Sequence, residues 1–180
     1  MSVKNIGISL LLIGLLVGTG SNQRAASTIY WSEDRKLTWE DFQGNPDYNY
    51  ADVSALTSSG IIHLKGCENG KIIYKIKAYF EKQHSWFKPE AKTNHHLAHE
   101  QIHFDITELY ARKLEKALAK HDFNCEQEEE FQAVVNEYLA KWQSAQINYD
   151  LYTHYSMKRT RQQTWKHRIA MELSLVERNK

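Results

Sequence analysis

The chain changes its hydrophobic rhythm once, at Pro89. Before it, Lys71 to Glu81 alternates, with Ile72, Tyr74, Ile76, Ala78 and Phe80 on one side and Lys71, Lys75, Lys77 and Glu81 on the other. That period of two predicts a strand with one face on a core and one in water. Glu68-Asn69-Gly70 just before it predicts a hairpin turn that pairs this strand with residues around Gly60 to Lys65. From Leu37 to Ile62, β-branched and aromatic residues interrupted by Gly44-Asn45-Pro46 and Ser58-Ser59-Gly60 predict further short strands.

After Pro89 the apolar period becomes 3.6 and neither Gly nor Pro occurs again. A helix is expected over about 92–120, with Ile102, Ile106, Leu109, Leu114 and Ala117 turned inward. A polar, acidic connection over 121–130 leads to Phe131, Val134, Val135, Tyr138, Leu139 and Trp142 at helical spacing, and a last amphipathic segment covers about 157–176. The expected fold class is α+β: a small N-terminal antiparallel sheet followed by a bundle of about three α-helices.

The beginning of the chain follows a different grammar. Lys4, the apolar run Ile6 to Val17 and the small residues Gly18-Thr19-Gly20 predict a signal peptide over residues 1–20, a polar linker over 21–34 and a single domain over 35–180. The run is short for a span of roughly 20 residues, so no stable membrane insertion is expected after cleavage. The expected location is secreted or periplasmic. Without residues 1–20 only Lys4 is lost, leaving 22 basic and 22 acidic side chains, a balance that argues against a nucleic-acid partner. In an oxidising compartment the even count of two cysteines predicts a Cys67–Cys125 disulfide.

The chemistry concentrates in His95-His96-Leu97-Ala98-His99-Glu100-Gln101-Ile102-His103, an H-E-x-x-H pattern inside the expected helix. At about 100° per residue, His99 and His103 share a face one turn apart and can reach one Zn²⁺, with Glu100 at the edge of that face as general base toward the metal's water. Asp105 and Glu108 point away from this face; His95 and His96 lie near it, but ligands on three successive turns of one straight helix cannot converge on one ion. A third ligand must therefore come from elsewhere. His154 is favoured, with Asp150 as its supporting neighbour or as the direct ligand instead. Tyr149, Tyr152 and Tyr155 cluster there, and a phenol such as Tyr155 could stabilise an oxyanion. The activity expected is a zinc-dependent peptidase or other hydrolase holding one zinc per chain and acting on a peptide or protein substrate. The alternative is a non-catalytic, metal-stabilised binding protein of the cell envelope. Neither substrate identity nor oligomeric state is legible.

The extended run His99-Glu100-Gln101-x-His103-Phe104-Asp105-Ile106 with Glu108 and Ala111-Arg112 resembles the bacterial DUF922 family. So do Trp39-x-Asp41-Phe42-x-Gly44 and Tyr149-Asp150-Leu151-Tyr152-Thr153-His154. The resemblance implies a secreted zinc-dependent protease with a zincin-like helix, carried directly onto His99, Glu100 and His103. Asp105 and Arg112 are expected to brace that helix through buried hydrogen bonds or an ion pair.

Overall fold

The computed structural model describes residues 27–176. The expected signal peptide over 1–20, and the linker up to residue 26, lie outside the described residues. Two long strands dominate the N-terminal half, β3 (Ser59–Glu68) and β4 (Lys71–Glu81), joined by the two-residue turn Asn69-Gly70. Both turn residues have positive φ, 50° and 77°, which suits the right-handed twist of the strands it joins. β4 buries Ile76, Ala78 and Phe80, as its alternation requires. The hairpin is longer than expected, since Ser59 to Glu68 all find partners on β4.

Thr28–Tyr30, placed by the sequence in a linker, forms β1 and pairs antiparallel with the other edge of β4. The sheet order is β1-β4-β3. The strands expected between Leu37 and Ile62 are mostly absent before Ala55: a 3-10 turn at Trp39–Asp41 and irregular chain lead to β2 (Ala55–Leu56), which pairs only with β5 (Trp86–Phe87). Here the β-prone residues serve packing and not pairing, as Trp39 packs at a tilt against Phe87 and Phe42 edge-on against Phe80. Gly44 is needed where it stands, because its N–H donates to the Ser85 carbonyl and a Cβ would lie 2.8 Å from the Gln83 carbonyl oxygen.

Three helices follow: α1 (Asn94–Leu118), α2 (Glu128–Thr153) and α3 (Arg159–Leu175). Thr93 caps α1 by accepting from the His96 N–H. α1 is buried on two sides. Phe104, Ala111, Leu114 and Leu118 join the sheet's core, while Ile102, Ile106 and Leu109 pack with Ala145 and Tyr149 of α2 and Ile169 of α3. The observed class is the α+β arrangement expected, with α1 as the central element. The Cys67–Cys125 disulfide is formed and ties the far end of the hairpin to the α1–α2 connection.

Several residues of the extended run on α1 act structurally. Gln101 Oε1 accepts from the Leu37 N–H at 2.7 Å, and Asp105 accepts from both Gln101 and the Trp31 indole at 2.9 and 2.8 Å. Glu108, fully buried, pairs with Arg112, whose guanidinium also donates to the Leu173 and Val176 carbonyls at the end of α3. These bonds fix α1 to the N-terminal segment on one side and to α3 on the other.

Candidate metal centre

α1 and α2 cross so that three polar atoms meet. His99 Nε2 lies 3.2 Å from His103 Nε2, and Asp150 Oδ1 lies 3.1 and 3.0 Å from them. The helical spacing of His99 and His103 puts both rings on one face, and α2 brings Asp150 across from it. Tyr149, wholly buried, stacks on His99 at 4.5 Å between ring centroids and holds that ring in place.

Sequence reasoning favoured His154 over Asp150 as the third arm; the structure brings Asp150, and not His154, to the two imidazoles. α2 ends at Thr153, and His154 turns into the left-handed region with φ 54°. That turn breaks the one-face relation with Asp150 and leaves the His154 side chain exposed. Nor does the histidine row gather on one point: His95 Nε2 donates to the Ser156 carbonyl at 2.6 Å, and His96 Nδ1 meets the Thr93 hydroxyl. Among the described residues, the group able to surround an ion is His99, His103 and Asp150.

Gln146, one turn before Asp150 on α2, went unnoticed in the sequence. Its side-chain nitrogen donates to the His103 carbonyl and the Thr107 hydroxyl, both at 3.0 Å, which orients its Oε1 toward His103 Nδ1 at 2.7 Å. His103 therefore carries a proton on Nδ1. A neutral ring then faces Asp150 with a bare Nε2 lone pair 3.0 Å from a carboxylate oxygen, which is repulsive unless a cation stands between them. That cation is a second proton or a metal ion. The signal available in the sequence was a polar residue four before Asp150, hence on the same face of α2.

The electrostatics agree. Burial would lower the His103 pKa, but the hydrogen bond and charge of Asp150, with Glu100 and Gln146, outweigh it and raise the value to about 9. Burial likewise opposes ionisation of Asp150, yet His103 and His99 hold its carboxyl well below the usual range. His99 is pushed below its ordinary value by burial, which Asp150 only partly offsets. The donor set fits a divalent ion: two imidazole nitrogens and a carboxylate oxygen suit zinc-like metals. Bonds of about 2.0–2.1 Å in a tetrahedron would set the donors about 3.3 Å apart, close to the spacing observed.

Glu100, nearly buried, stands beside this group, with Thr57 Oγ1 donating to its Oε2 at 2.8 Å. Both border a cavity of about 470 Å³. One wall is the chain from Val53 to Ser59, which includes β2; another is α2 from Trp142 to Asp150; Tyr155 and Ser156 complete it. Tyr155 thus reaches the cavity, whereas Tyr149 is packed inside and Tyr152 lies exposed under Arg161. His154, Tyr155 and Ser156 all have positive φ, 54°, 50° and 70°. A run of three such non-glycine residues is strained, and it carries Tyr155 and Ser156 onto the cavity lining.

No curated protein and no solved structure matches the chain. A family model does, over residues 76–157, which include α1, α2 and all three converging side chains but not the Trp39–Gly44 segment. The match is to the model of the family described as bacterial protein of unknown function, DUF922, which the chain resembles over those residues.

Proposed function

We propose that this protein is an exported, zinc-dependent hydrolase that cleaves peptide bonds. The observation that carries the proposal is the placement of Glu100 on the wall of an open cavity, directly beside the His99–His103–Asp150 convergence. A purely structural metal site would be closed by a fourth protein ligand and would need no adjoining cavity or free carboxylate. Export is supported by the signal-like first twenty residues and by the disulfide.

His99, His103 and Asp150 would hold the zinc, which when bound would supply Lewis acidity and a lowered water pKa. The rest of the chemistry belongs to side chains. Glu100 takes a proton from the attacking water and returns it to the leaving amine. The Thr57 hydroxyl donates to the Glu100 carboxylate and holds it in place. Gln146 fixes the His103 tautomer so that Nε2 is free to bind. The Tyr155 phenol, on the cavity wall, donates to the carbonyl oxygen as negative charge develops there.

The test is Glu100→Gln, assayed on a quenched fluorescent peptide library with zinc content measured alongside. Zinc should stay at the wild-type level while turnover falls at least about a hundredfold. Wild-type turnover in the variant, or no turnover by zinc-loaded wild type, would overturn the proposal.

A further inference from the structure

Resting on the hydrolase reading, we infer that the cavity contains an apolar subsite and that the substrate is a peptide with an aliphatic or aromatic side chain next to the bond cleaved. The wall beside Asp150 is built from Val53, Ala55 and Leu56 on one side and Trp142 and Ile147 on the other. Ile147 precedes Asp150 by about one turn of α2 and is 60% exposed among the described residues. Leu56, opposite it, is exposed as well. The Trp142 ring is fixed, since its indole N–H donates to Thr107, which is itself fully buried between α1 and α2. The Trp142 part of the wall is therefore preformed.

Charge complementarity selects the occupant further. Among the described residues no Lys or Arg lines the cavity, and the carboxylates there are Glu100 and Asp150. An acidic side chain would find no cation there apart from the metal and would face two carboxylates, while a basic one would have to be desolvated against Val53, Leu56 and Ile147. An apolar side chain loses nothing on entry and removes exposed apolar surface from water. A volume of about 470 Å³ accommodates a leucine or phenylalanine side chain together with the adjoining backbone.

The experiment uses full-length, zinc-loaded Glu100→Gln protein, titrated calorimetrically with blocked alanine peptides that carry one Leu, Phe, Asp or Lys at the central position. Leu and Phe peptides should bind at least about tenfold tighter than the Asp and Lys peptides. Adding Ile147→Lys should abolish that preference and favour the Asp peptide, with zinc content and circular dichroism unchanged. Equal affinity for all four, failure of all four to bind, or the original ranking surviving in Ile147→Lys would overturn the inference. The two readings separate cleanly. Wild-type enzyme that cleaves these peptides without regard to the central residue keeps the hydrolase and loses the subsite; selective binding without cleavage keeps the subsite and loses the hydrolase.

Discussion

Replacing Gln146 with leucine tests how the protein prepares His103 for a metal. Leucine is close in size and keeps α2 helical, but it removes the acceptor 2.7 Å from His103 Nδ1 and the donor to Thr107 and the His103 carbonyl. Leaving a buried imidazole N–H unpaired costs about 1–3 kcal/mol. The metal-free protein avoids part of that cost by giving up the Nδ1 proton and keeping the one on Nε2, which Asp150 accepts at 3.0 Å. The metal-bound form cannot, because Nε2 is then occupied. Zinc affinity should therefore fall about 10–100-fold, or about 1.4–2.7 kcal/mol. The assay is competition with a chromophoric chelator, supported by melting curves with and without zinc. Gln146→Glu, which restores the acceptor, should recover the affinity. A Gln146→Leu protein that is folded and binds zinc within about twofold of wild type would refute the reasoning.

Four further outcomes are expected. Because His103 titrates at about 9 in the metal-free protein against an ordinary 6.5, metal must displace its proton below that pH. Apparent zinc affinity should fall about tenfold per pH unit from 9 toward 6.5, and a flat profile over that range would contradict the assignment. The sign for stability is the reverse: the raised His103 pKa stabilises the metal-free fold fully below 6.5 and loses that contribution as pH rises through about 9, visible as a falling melting temperature. Replacing both Cys67 and Cys125 with serine opens a loop spanning 58 positions and should cost about 4 kcal/mol in the chain-entropy model, read by denaturant unfolding. Zinc stoichiometry should survive, since Cys67 lies eight residues, or about 26 Å, along β3 from the cavity edge at Ser59. His154→Gly should relieve left-handed strain and stabilise the fold by up to about 1 kcal/mol without loss of zinc, measured by melting and metal analysis.

The elements with a strong period were legible in the sequence: β4 begins and ends where its alternation does, and α1 carries H-E-x-x-H on the expected face. Elements held by tertiary contacts were not. Thr28–Tyr30 is too short to carry a period and is a strand only because β4 offers a free edge. Trp39 and Phe42 have strand propensity but are recruited into an aromatic cluster. At the site, two of the three converging side chains lie on one helix and could be placed from spacing alone. The choice between Asp150 and His154 depended on where α2 stops, and nothing local in Tyr152-Thr153-His154-Tyr155 announces a left-handed turn without glycine. Gln146 and Thr57 support the site through packing between distant segments, which no single-sequence periodicity encodes.

The most direct test of the central claim is the zinc content of the purified protein, wild type beside His99→Ala, Asp150→Ala and His154→Ala. One zinc per chain is expected in wild type and His154→Ala, with loss in His99→Ala and Asp150→Ala. Zinc retained without Asp150 but lost without His154, or none in folded wild type exposed to zinc, would contradict it.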